Sequence, residues 1–180
     1  MKLILYSILV ALTISSCQSI NFDRYPGTAM QEFPENLRGK YTNVMKNNNT
    51  YDTISVYISK DAYTIYNNSE TAIDFLDSTH VFSNYQNNYF LFVKENAFWS
   101  GYSVKKNKNG ITVLNISIPN KGDNNKKIKY ISKYFDDVKL AKTTSVVGGV
   151  ECTAKMNEEN LLKYLKRNKR NKMNLIQVKE

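Results

Sequence analysis

Tyr89-Phe90-Leu91-Phe92-Val93-Lys94 is an apolar run set between two polar breaks, Gln86-Asn87-Asn88 before it and Glu95-Asn96 after it. It is too short for a stable helix and rich in aromatic residues, so it reads as a strand. Apolar residues occupy both of its faces, which places it centrally, with packing on either side. Its neighbours repeat the pattern. Thr79 to Tyr85 precedes it as a strand, and Ala97 to Lys105 follows. Asn107-Lys108-Asn109-Gly110 then carries an Asn-Gly hairpin signal and returns the chain into Ile111 to Ile118.

The same grammar extends towards the N-terminus. Ile54, Val56 and Ile58 alternate with Thr53, Ser55, Tyr57 and Ser59, the period of a half-buried strand. Lys60-Asp61 turns the chain into Ala62 to Tyr66, where Tyr63 and Ile65 share a face. Asn67 to Glu70 is a loop, and Thr71 to Asp77 is ambiguous. Strands joined by short polar turns predict an antiparallel meander or an up-and-down barrel. Val56, Leu91, Phe92 and Val113 are its expected core.

Beyond Pro119 the period changes. Ile128, Ile131 and Tyr134-Phe135 fall at helical spacing within Asp123 to Phe135. Gly148-Gly149 is a joint, and Val150 to Met156 reads as a strand. Asn157 is a good N-cap, with Glu158 and Glu159 in the first turn, where the helix dipole favours acids. Leu161, Leu162 and Leu165 supply an apolar stripe, and Met173 to Val178 closes as a strand. The fold class expected is therefore α+β and β-dominated, with C-terminal helices and a final strand-helix-strand.

The first residues have a different character. Met1-Lys2 is a short positive start, and Leu3 to Ile14 is an apolar run too short to span a bilayer. This is the build of an export signal. Ile14, Ser15 and Ser16 directly before Cys17 resemble a bacterial lipobox. The resemblance implies cleavage after residue 16 and a lipid on Cys17, leaving a lipidated Cys and tether over 17–32 and one β-rich domain over 33–180. About 148 residues suffice for a real hydrophobic core.

An exported domain meets no nucleic acid. The formal charge of +9 is then a match for anionic head groups, acidic glycans or an acidic partner, or a lysine-rich solvated surface. The densest basic run is Lys163, Lys166, Arg167, Lys169, Arg170 and Lys172, which also complements the helix dipole.

Candidate chemistry is sparse. His80 is the single histidine, so a catalytic triad would depend on it and a histidine metal site would lack a second imidazole. It reads as a strand residue. Cys152 lies among Val150, Thr153 and Ala154 and reads as a buried strand thiol rather than a nucleophile. Asp136-Asp137 and Glu158-Glu159 are adjacent pairs whose side chains diverge. Asp123-Asn124-Asn125 lacks the spacing of a calcium loop and reads as a turn. No catalytic residue, cofactor or metal is expected. Tyr57, Tyr66, Tyr85 and Tyr102 are candidates for lining either a cavity or a contact face.

Two resemblances add to this reading. The Ser16-Cys17 site, the opening Phe33-Pro34-Glu35-Asn36-Leu37-Arg38-Gly39-Lys40-Tyr41 and the closing segment Val150 to Val178 resemble small lipoproteins of the Bacteroidota. Gln18-Ser19-Ile20-Asn21 lacks the acidic residues that mark surface export in that group, which implies the periplasmic side of the outer membrane. Gly39-Lys40-Tyr41 is similar to the Gly-x-Trp that opens lipocalins, with Tyr41 in place of Trp. This similarity implies a lipocalin-like β-barrel carrying a small apolar ligand. The functions expected are thus a membrane-anchored, non-catalytic binding or envelope module, or an apolar-ligand carrier, attached through lipid on Cys17.

Overall fold

The computed structural model describes residues 19–47, 50–67, 70–119, 122–142, 150–168 and 172–178. The export signal, Cys17, the Gly148-Gly149 joint, Lys169 and Arg170 lie outside the described residues.

The architecture is α+β and β-dominated, an antiparallel sheet curled into a half-barrel of lipocalin-like shape. Two runs of consecutive antiparallel strands build it. The first is β3 (Gly39–Asn47), β4 (Thr50–Ile58), β5 (Ala62–Asn67) and β6 (Glu70–Phe75). The second is β7 (His80–Tyr85), β8 (Asn88–Glu95), β9 (Phe98–Asn107) and β10 (Gly110–Asn115). The segment from Thr71, ambiguous in sequence, becomes β6 because Ile65 and Tyr63 of β5 pair with Ala72 and Asp74.

Three features depart from a simple meander. The last strand, β13 (Lys172–Gln177), inserts between β10 and β3 and joins the two runs. β1 (Ile20–Phe22) lies parallel to β12 (Val150–Lys155), and β11 (Asp136–Lys142) flanks β12. β2 (Thr28–Met30) extends the second run beyond β7. The closing strand-helix-strand therefore exists, but its two strands belong to different parts of the sheet.

The tether expected over residues 17–32 is not what residues 19–32 form. Ile20 and Phe22 are fully buried, and the Ile20 amide donates to Ile116 O at 2.9 Å. Burial of the two large apolar side chains, roughly 1.5–3 kcal/mol each, offsets about what three residues lose on ordering, and pairing of this short strand with β12 and β9 adds to it. Ser19, the first described residue, is already part of the fold and bridges Ser117.

Hairpin chemistry also departs from the reading of the sequence. Gln86-Asn87 is a two-residue turn in which both residues take positive φ, 49° and 61°, the geometry of a mirror-type hairpin turn. At the other hairpin Lys108-Asn109 make the turn, and Gly110 is already paired with Asn107. Glycine is required there for space: a Cβ would stand 2.0 Å from Leu175 O of β13.

Two apolar cores lie on opposite faces of the second run. One packs β1, β8, β9 and β12 under helix α1 (Asn124–Ile131) and helix α2 (Glu158–Arg167). Asp123 caps α1 by accepting from the Lys126 amide at 2.9 Å, which places the Asp123-Asn124-Asn125 turn at a helix start. Asn157 caps α2 by accepting from the Asn160 amide at 3.1 Å. Leu161, Tyr164 and Leu165 face inward from α2, with Leu162 half-buried. The second core fills one end of the half-barrel interior. Phe92 is buried as expected, but Val56, Leu91 and Val113 are only half-buried, because they face a hollow rather than packed side chains.

Candidate ligand pocket

The hollow is a cavity of about 120 Å³ inside the half-barrel. Period-two alternation creates its wall: inward residues of β4, β5, β9, β10 and β13 meet those of β7 and β8. The wall is almost wholly apolar; Tyr63, Tyr102 and Asn115 bring its polar atoms.

One end is closed. A short 3-10 turn over Glu35–Leu37 drops the buried Leu37 across it. Tyr41 holds that turn, its hydroxyl donating to Leu37 O at 2.8 Å. The Lys106 ammonium stands 5.5 Å from the Tyr41 ring centre and donates to Gln177 Oε1 at 2.8 Å, tying β9 to β13. The Gly39-Lys40-Tyr41 triplet thus acts at the closed end. Phe33 seals the seam between the runs. Its amide donates to Lys60 O at 2.7 Å, and its ring packs on Phe82 at 4.6 Å and Tyr63 at 6.3 Å.

The other end is the mouth. Leu37, Phe33, Ile58 and Ile111 at the closed end are buried, whereas Tyr102, Val113, Asn115 and Met173 are half-buried. Ser19 meets this rim: its hydroxyl donates to Asn115 Oδ1 at 3.5 Å.

Beside the closed end, Tyr63 carries an orphaned group. Its hydroxyl is shielded from solvent without a hydrogen bond of good geometry, although Asp74 stands close across the β5–β6 pair. Burial first, and the Asp74 charge second, hold its pKa far above 10. Burial, aided by Glu95, pushes Tyr102 up to about 12. Both phenols are neutral donors at physiological pH.

His80 opens β7 with its ring 3.8 Å from Asp74 and 3.6 Å from Asp77, and Nδ1 3.0 Å from the Thr79 hydroxyl. Asp77 caps this bend by accepting from the Thr79 and His80 amides at 2.6 and 2.7 Å. The imidazole is a half-buried strand residue, as expected, and it does not line the cavity. Cys152 is buried in β12, and burial pushes its thiol up to about 12. A thiol held protonated is a poor nucleophile. Among the described residues no group of three or more His, Cys, Asp or Glu could hold a metal.

The four tyrosines divide. Tyr102 lines the cavity, Tyr85 packs against the helix-covered core, and Tyr57 and Tyr66 stand 45% and 43% exposed on the outer face. Sequence reasoning did not find Phe33, Tyr63 or Leu37 as cavity residues. For Tyr63 the signal was present, since it shares a strand face with Ile65. Phe33 and Leu37 come from a segment without periodicity, so only the tertiary fold brings them in.

No protein-family model, curated protein or solved structure matches this chain.

Proposed function

We propose that this protein is a membrane-anchored, non-catalytic binding module that holds a small apolar ligand in its half-barrel. The observation that carries the reading is the cavity: about 120 Å³, with polar atoms from three side chains only. Apolar cavities of roughly 150 Å³ stay dry and take ligands the size of benzene. A hollow of this size suits one small ring or the end of one acyl chain. The lipobox resemblance at Cys17 supports anchoring, and the lack of acidic residues over Gln18 to Asn21 supports the periplasmic side of the outer membrane. The buried, protonated Cys152 and a cavity lining that does not include His80 support a binding role rather than catalysis.

The test is ligand-observed NMR of the purified lipoprotein with benzene and with hexanoate. Binding of either, lost in Val56→Phe, supports the reading; failure of wild type to bind both overturns it. Anchoring is tested apart. Wild type should label with palmitate and sediment with membranes, and Cys17→Ala should not, because two or more acyl chains make attachment stable. Membrane retention of Cys17→Ala, with no palmitate on wild type, sinks the lipoprotein reading.

A second reading has an observation of its own. Ile73 and Phe75 of β6 are 58% and 60% exposed, beside Tyr57 and Tyr66 on the outer face. Among the described residues β6 pairs only with β5. An apolar strand with a free edge is a site for a protein partner. Ile73→Lys with Phe75→Lys would abolish capture of that partner while leaving benzene binding intact.

A further inference from the structure

Three features that sequence scatters across the chain meet at one end of the molecule. The first is Ser19, already tied into the sheet. Ser19 bridges Ser117 and donates to Asn115, and Cys17 precedes it by two residues. Two residues reach at most about 7 Å. The second is the cavity mouth, formed by Asn115 together with Tyr102, Val113 and Met173. The third is basic charge. Lys172 begins β13 directly before Met173 and pairs with Leu114. Tyr164 of α2 donates to Ser117 O at 2.7 Å, and Ser117 bridges Ser19, so α2 meets the sheet beside Ser19 and carries Lys166 and Arg167 in the turn that follows. Lys163, Lys166, Arg167 and Lys172 are all exposed, and no acidic residue occurs between Asn160 and Val178.

We infer that this end of the half-barrel lies flat on the bilayer and that the cavity takes the end of an acyl chain from a phospholipid of that same membrane. The inference rests on lipidation of Cys17 and on the apolar-ligand reading, and it names the ligand and its source. The physical argument has three steps. With Ser19 already folded into the sheet, a lipid two residues away leaves the domain no long tether, so the surface around Ser19 must face the head groups. Exposed cations on that surface are attracted to anionic lipid, each adding to the binding. The mouth then opens against the bilayer rather than into water, and an acyl end entering it exchanges one apolar surrounding for another without crossing the aqueous phase. The narrow bore admits a single chain, and Leu37 at the closed end limits how far it enters.

The experiment uses wild-type lipoprotein in vesicles of phosphatidylethanolamine and phosphatidylglycerol. A fraction of the phosphatidylglycerol carries a diazirine at the end of one acyl chain. After photolysis, the cross-linked residues are mapped by mass spectrometry. The expected result is labelling of inward residues such as Leu91, Tyr102, Val113 and Met173, reduced at least tenfold in Val56→Phe. Replacing Lys163, Lys166, Arg167 and Lys172 by Gln should lower the labelling several-fold in anionic vesicles and leave it unchanged in zwitterionic ones. Labelling confined to the outer face of β4–β6 overturns the orientation. Equal labelling from diazirine lipid supplied in separate vesicles overturns the source. Labelling that appears only in Cys17→Ala shows the protein's own lipid in the cavity and also overturns the source. If wild type binds benzene and labels with palmitate yet shows no inward cross-links, the inference fails while the binding and anchoring readings stand.

Discussion

The two faces of β8 share one strand and have opposite fates. Phe90 and Phe92 point into a core covered by α1 and α2, where Phe22, Phe135, Tyr134 and Tyr164 meet ring on ring at 5.0 to 6.4 Å. Leu91 points the other way, into the hollow. Hydrophobicity is equal on the two faces, so it does not explain the difference. Covering elements do. Helices bring large side chains down onto the first face at close-packed density. The second face is met by the opposite wall of its own curled sheet, which the barrel curvature holds apart, and by Phe33 and Leu37 at one end only. Burial makes a core in one place and a container in the other.

Stability measurements can break this comparison. Phe92→Ala should cost about 3–5 kcal/mol in urea unfolding, and Leu91→Ala markedly less, because its site is already part empty. Equal losses would mean that the half-barrel is packed and the container reading is wrong.

Alkaline pH probes the packed side. The Cys152 thiol, ordinarily near 9, is held at about 12 in the folded protein by burial. Above pH 9 the unfolded chain releases this proton and the folded one keeps it. Stability is therefore fully present below pH 9 and falls as pH rises towards 12, by up to about 1.4 kcal/mol per pH unit for each such group. Tyr164, raised by burial, shifts stability in the same direction above pH 10. Cys152→Ala should flatten the part of the slope that begins at pH 9. An unchanged slope would show that the thiol is not shielded by this core.

Filling the hollow sharpens the contrast. Val56→Phe should raise stability by about 1 kcal/mol, since its added carbons enter existing space. A loss of 1–3 kcal/mol, the usual cost of overpacking, would show that no such space exists. The smallest effect belongs to Ser83. Its hydroxyl is buried on the Phe90 side of β7 without a partner. Ser83→Ala should be neutral or stabilise by up to about 1 kcal/mol, because it removes an unsatisfied group. A loss greater than that would reveal a hydrogen bond at this position.

Much of the sheet was legible because period-two alternation and polar turns are local signals. The pairs from β4 to β5 and from β7 through β10 follow from Ile54, Val56 and Ile58 and from the runs flanking Tyr89 to Lys94. Asn157 as a cap and the Leu161, Leu165 stripe are equally local. β1 escaped because three residues, Ile20 to Phe22, are too short to show a period, and their burial depends on β12, some 130 positions away. β11 escaped for a related reason: Val138 and Leu140 alternate only after a break at Asp136-Asp137, where Asp137 takes a positive φ of 52°.

The amino-acid sequence by itself determined β4, β5, β7 to β10, β12, β13 and the two helices, together with the burial of Cys152 and the strand position of His80, since each depends on neighbours within a few residues. The tertiary structure alone decided that β13 would join the two runs. It also folded Ser19 onto Ser117, let Phe33 and Leu37 close one end of the half-barrel, and set the mouth beside the basic end of α2. These are contacts between residues far apart in the chain. Their free energy comes from area buried jointly by segments that carry no mark of one another, so it exists only once the chain has closed on itself.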